Sequence, residues 1–213
     1  MGTAKTEVAT GLASARGERV QTSNIDLASA IVAARDTKAV EELIAILASG
    51  KTAQQGDVIK VLYEIGERSA TLIAPYLDVF ATLLQSKNQR LVWGSMCALD
   101  TIAAKNPKAL APHIDAVLRA AKGESVIARD HAVAILASLT TLPHVRDRAT
   151  RELLKMVREA PINQLPMYAE RAATAIGNTD AHALRSVIES RMPTVEQPAK
   201  QKRLQKVLNQ LTK

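Results

Sequence analysis

The chain repeats itself every 37 residues, and that periodicity narrows its possible folds more than any other feature. Ala74-Pro75-Tyr76-Leu77-Asp78 recurs as Ala111-Pro112-His113-Ile114-Asp115. At the same offset Leu62 and Ile65 become Leu99 and Ile102, then Leu136 and Leu139, then Ala173 and Ile176. Stepping backwards, Phe80, Leu83 and Leu84 land on Leu43, Ile46 and Leu47, and Val61, Ala98, Ile135 and Ala172 are also in register. A period of this length held over four or five copies is the signature of a stacked array, in which no single unit can bury its own apolar face.

Each copy reads as two helices. In the third, Leu91, Ser95, Ala98, Leu99 and Ile102 form the stripe of an amphipathic helix, broken by Asn106-Pro107. A second stripe follows in Leu110, Ile114, Val117, Leu118 and Ala121. Pro112 either opens that helix or kinks it, and Gly123 is placed to end it in the left-handed conformation. The copies span roughly 23–50, 53–87, 88–123, 124–160 and 163–192, with a loop at Thr140–Pro143 and a break from Pro161 to Pro166. Thirty-six alanines against five aromatic residues favour helix over a β-sandwich or barrel.

With Leu91-Val-Trp-Gly-Ser-Met-Cys-Ala-Leu99 in the third copy and Val126-Ile-Ala-Arg-Asp-His-Ala-Val133 in the fourth, the array resembles HEAT repeats. The Ala-Pro-x-[Leu/Ile]-Asp opening of the second helix is similar to HEAT and armadillo-type arrays. The first copy is short, and the fourth has Arg146 to Arg148 where the proline motif would fall. The resemblance covers residues 23–192. It implies an all-α, right-handed α-α superhelix of about five helix pairs plus a C-terminal helix, acting as a protein-binding scaffold or adaptor. Its concave face would be lined by the second helices, with Tyr76, Thr82, His113 and Arg119 as contacts.

Residues 1–22 read as a flexible leader; Met1 to Thr6 fit the loose N-myristoylation pattern. Residues 193–213 carry five basic groups and one acidic, over half of the chain's net charge of +7. There Leu204, Val207, Leu208 and Leu211 form an apolar stripe, with Lys200, Lys202, Arg203 and Lys206 away from it. This is the pattern of a helix capping the last repeat, whose basic residues also offer phosphate contacts for nucleic acid.

Chemistry has few footholds. Cys97 is the only cysteine, which excludes disulfides and a cysteine-based zinc site and favours a reducing, cytoplasmic setting. His113, His131, His144 and His182 show no metal-ligand spacing, and no phosphate-binding loop or nucleophile motif is present. No metal or cofactor and no enzymatic activity are therefore expected, and no stretch is long and apolar enough to span a bilayer. Trp93, Cys97, Asp100 and Ala104 share one helix stripe. Some HEAT-like proteins resemble glycosylases for alkylated bases, in which aromatic residues and an Asp act in a basic cleft, so Trp93 and Asp100 are an enzymatic alternative. The simpler expectation is that Trp93 packs between repeats.

Overall fold

The computed structural model describes residues 7–15, 22–123 and 125–211. The described residues are helical with no strand: α1 (Glu7–Gly11), α2 (Thr22–Ala34), α3 (Thr37–Ser49), α4 (Thr52–Ile73), α5 (Leu77–Leu83), α6 (Gln89–Lys105), α7 (Pro107–Leu110), α8 (Ile114–Ala121), α9 (Val126–Leu139), α10 (Arg146–Arg158), α11 (Leu165–Ala175), α12 (Asn178–Arg191) and α13 (Pro198–Gln210). Short polar side chains open several of them. Asp36 Oδ1 accepts the Ala39 amide at 3.0 Å, Asn88 Oδ1 that of Arg90 at 3.1 Å, and Ser125 Oγ that of Ala128 at 3.2 Å.

The break between the two helices of a copy is built the same way twice. Ser69 lies inside α4 at φ −154° and ψ 80°, and Asn106, 37 residues later, at φ −142° and ψ 74°. Both leave helical space and turn the chain. The proline motifs then form 3-10 turns, Ala74–Tyr76 before α5 and Ala111–His113 between α7 and α8. Pro112 thus sits in a tightened turn within the second helical segment, where its missing amide costs no α-helical hydrogen bond. In the fourth copy, which lacks the motif, α10 runs unbroken. Gly123 does not take the left-handed conformation; α8 instead ends through short-range bonds, Lys122 N to Arg119 O at 3.2 Å and Gly123 N to Ala120 O at 3.4 Å.

The helices stack in two layers. One holds the first helix of each pair, α2, α4, α6, α9 and α11, side by side in chain order, with α13 added beside α11. The other holds the second helices, packed against the first helix that follows: α3 on α4, α5 on α6, α8 on α9 and α10 on α11. The 37-residue stripe is the core between them. Leu62, Leu99 and Leu136, like Ile65 and Leu139, are fully buried, each worth about 2 kcal/mol of transfer free energy. The stripe weakens in the last copy, where Ala173 is half-buried. Close approach is greatest between α4 and α6. A Cβ on Gly94 would lie 2.4 Å from Ile59 Cγ1, and one on Gly66 would lie 2.6 Å from Thr101 Oγ1.

Part of the expected leader is packed. Val8, Leu12 and Ala13 are buried in the core. Ala13 N donates to Asn24 Oδ1 at 2.9 Å, Ser14 N to Asp57 Oδ2 at 2.7 Å, and Asn24 Nδ2 to Asp57 Oδ1 at 3.0 Å. Val8 and Leu12, one turn apart, cover the open side of the first pair, and the buried Asp57 carboxylate ties down the chain that follows. The rest of the leader, including the myristoylation-like Met1 to Thr6, lies outside the described residues. At the other end α13 buries Leu204, Val207 and Leu208 against α11 and α12, the position of a cap. No helix among the described residues is long and apolar enough to cross a membrane.

Candidate functional site

Polar side chains link neighbouring repeats in both layers. In the second-helix layer, His113 Nε2 lies 3.2 Å from Asp78 Oδ1, and Arg148 binds Asp115. Asp78 and Asp115 each stand in the first turn of a helix, as helix electrostatics favour, and each also receives a cation or imidazole from the next repeat. The Arg148 hydrogen bond holds the Asp115 carboxyl below the usual carboxylate range. Arg191 reaches back to the carbonyl oxygens of Arg158 and Ala160.

Between α8 and α10 the second-helix layer opens. These helices do not close on each other as α10 and α12 do, and a cleft of about 700 Å³ lies between them. Leu118, Arg119 and Lys122 wall it on one side; Arg148, Glu152, Lys155 and Met156 wall the other, and Tyr168 and Arg129 contribute from the first-helix layer. Its lining holds five basic and three acidic side chains, and Arg148 is already paired with Asp115. Arg119, Lys122 and Lys155 have no carboxylate partner among the described residues. The Tyr168 hydroxyl donates to Asp130 Oδ1 at 2.7 Å, and Arg171 Nη1 donates to Asp130 O at 2.9 Å. Burial, then the Asp130 carboxylate, pushes the Tyr168 phenol well above its ordinary value.

Of the residues read from the sequence as binding contacts, only Arg119 lines this cleft. Tyr76 is half-buried in the 3-10 turn before α5, and burial raises its phenol pKa. Thr82 is exposed, with Oγ1 donating to Asp78 O at 2.8 Å, and His113 is turned to Asp78. In α13, Arg203 grips Glu170 of α11 with Nε–Oε1 at 2.8 Å and Nη2–Oε2 at 2.6 Å, and Lys200 binds Asn163. Lys202 and Lys206 are exposed.

The first-helix layer presents a different surface. Trp93 is not enclosed in the core. It is 36% exposed, because residues 93, 97, 100 and 104 form the outer stripe of α6 while the opposite side fills the core. Val126 and Ile127 of α9 are exposed as well. On this face Cys97 Sγ lies 3.0 Å from His131 Nε2, and His131 Nδ1 lies 2.8 Å from Asp100 Oδ2. Burial works against the imidazolium, but the hydrogen bonds to Asp100 and Cys97 outweigh it and raise the His131 pKa to about 10. The shared stripe already joined Cys97 to Asp100. Nothing in the sequence joined them to His131, which stands 34 and 31 residues later rather than at the repeat interval. No group of three or more potential ligand side chains among the described residues is arranged to hold a metal ion.

No family model matches the chain, and no curated protein matches its sequence. Two solved structures share the fold. Both are crystal structures of engineered proteins determined by a structural genomics consortium. One is 21% identical with a TM-score of 0.68, over 90% of each chain. The other is 20% identical with a TM-score of 0.68, over 91% of this chain and 53% of its own. At these identities the likeness carries the all-α superhelical architecture alone.

Proposed function

We propose that the chain is a HEAT-like, non-catalytic scaffold that binds another protein in the cleft between α8 and α10. The supporting observation is the cleft itself: an opening of about 700 Å³ between α8 and α10, with an excess of basic over acidic side chains. Leu118 and Met156 supply apolar contact, while Arg119, Lys122 and Lys155 supply positive charge. That combination suits an extended segment carrying carboxylates beside an apolar anchor, since desolvated apolar contact gives affinity and complementary charge gives specificity and on-rate.

Capture from nuclease-treated lysate of the source organism, comparing the wild type with Arg119→Glu/Lys155→Glu, tests the reading. Proteins retained by the wild type and lost from the charge-reversed variant are the expected result. Identical retention by the two would remove the cleft from the binding surface. Exposed Lys202 and Lys206 support a second reading, contact with nucleic acid. It predicts associates that vanish on nuclease treatment and on Lys202→Glu/Lys206→Glu substitution, with the cleft variant unaffected.

A further inference from the structure

The Cys97–His131–Asp100 arrangement has no part in the cleft, which opens in the other layer. Its order is that of an activated nucleophile: a thiol against one imidazole nitrogen and a carboxylate against the other, at 3.0 and 2.8 Å. His131 bridges α6 and α9, so the contact forms only when two repeats are stacked. Cys97 is half-buried, and therefore reachable from solvent.

The surroundings select the chemistry. Cys97 lies in the middle of α6, where its own amide and those of its neighbours are used within the helix. There is thus no set of free amides to stabilise an oxyanion, as acyl transfer requires. Attack on sulfur needs none. One turn before Cys97 stands Trp93, and one turn before His131 stands Ile127. Both exposed apolar side chains thus stand one helical turn before the Cys97–His131 contact, on the same pair of helices. From the structure we infer that Cys97 is a thiol-exchange site that forms mixed disulfides with low-molecular-weight disulfides, its thiolate held by His131 and the imidazole oriented by Asp100.

The step balances without a further reagent. The Cys97 thiolate attacks one sulfur of R–S–S–R, forming the protein–S–S–R bond and breaking the original S–S bond. The departing sulfur takes the electron pair and leaves as the thiolate RS⁻, which solvent protonates where its own pKa requires, while His131 keeps its proton. Cys97 is oxidised, and half of the small disulfide is reduced. Nearby on the first helices, Lys60 and Arg68 pair with Glu64 of α4, Asp130 of α9 accepts from Tyr168 and its carbonyl from Arg171, while Glu67 and Lys105 line a groove with Asp100. Asp100, in direct hydrogen-bond contact with Nδ1, is the carboxylate that acts on His131.

The test is the rate at which the native full chain reacts with the aromatic disulfide 5,5′-dithiobis(2-nitrobenzoate), followed by release of its coloured thiolate. At about pH 6.5 an ordinary thiol is only about 1% thiolate. Native wild type should react at least about fivefold faster than both the urea-unfolded chain and native His131→Gln. The gain stays below about 100-fold because a stabilised thiolate is also a weaker nucleophile. The rate of His131→Gln should fall about tenfold per pH unit below about pH 8, while that of the wild type falls much less. Asp100→Asn, which keeps the imidazole, should give an intermediate rate, and mass spectrometry should place one adduct on Cys97, absent in Cys97→Ser. Equal rates and equal pH dependence in wild type and His131→Gln would overturn the inference. So would a native thiol that reacts more slowly than the unfolded one; this comparison holds even where a variant folds poorly.

Discussion

The junction between α4 and α6 and the junction between α6 and α9 solve one problem in opposite ways. Asp57, Gly94, His131 and Tyr168 occupy equivalent places, 37 residues apart, on successive first helices. At Gly94 the absence of a side chain lets α6 approach until Ile59 fills the gap. At His131 and Tyr168 a long polar side chain reaches back instead, to Cys97 and Asp100 or to Asp130. One register position is thus closed by contact in one junction and bridged by hydrogen bonds in the next two. Backbone periodicity therefore does not dictate which kind of interaction holds neighbouring repeats together.

The contrast is sharpest where contact is tightest. Gly94→Val should destabilise the fold by about 3 kcal/mol in urea denaturation, since Ile59 is fully buried and its branched end has nowhere to turn. Pairing it with Ile59→Ala should recover part of that loss; no recovery would mean that the closeness of α4 and α6 has another cause.

In the bridged junction the dependence is on pH. A histidine whose pKa rises from 6.5 to about 10 on folding contributes stability that is fully present below about pH 6.5 and lost as pH rises through about 10. The urea midpoint of the wild type should accordingly fall between pH 7 and 10, and that of His131→Gln should change far less. Nuclear magnetic resonance should find the His131 ring still protonated at about pH 8, where a free imidazole is neutral.

Smaller effects are expected further along. Tyr168→Phe removes a hydrogen bond to a carboxylate that keeps partial access to water, a loss of about 1 kcal/mol by the same denaturation. Glu170→Gln breaks the exposed pair with Arg203 and should cost about 0.5 kcal/mol or less, vanishing in high salt. A larger loss would mean that α13 depends on charge more than on Leu204, Val207 and Leu208.

The sequence made the helix pairs legible because burial of Leu62, Leu99 and Leu136 imposes a period on the chain itself. It also exposed the break at Asn106 and the capping stripe of α13. The links between repeats were not legible in the same way. Most of their partners do not stand at the repeat interval, as in His131–Asp100, Asn24–Asp57 and Tyr168–Asp130 at 31, 33 and 38 residues, because a side chain leans across to a neighbouring turn. The exposure of Trp93 was not legible for a related reason: an amphipathic stripe shows which residues of α6 lie together, but not how much of them a neighbouring helix covers. The cleft between α8 and α10 depends on the spacing of two helices, and only Arg119 among its lining residues had been read as a binding contact.

The matching breaks at Ser69 and Asn106 bear on how such a chain can be lengthened or shortened. Cutting at one and rejoining at the other removes a whole 37-residue unit while keeping the backbone angles at the join. The resulting neighbours would be mismatched, since His131 would then face Lys60 and Tyr63 where it now meets Cys97 and Asp100. The backbone is modular, but the side chains between modules fit only one order, like numbered stones in an arch.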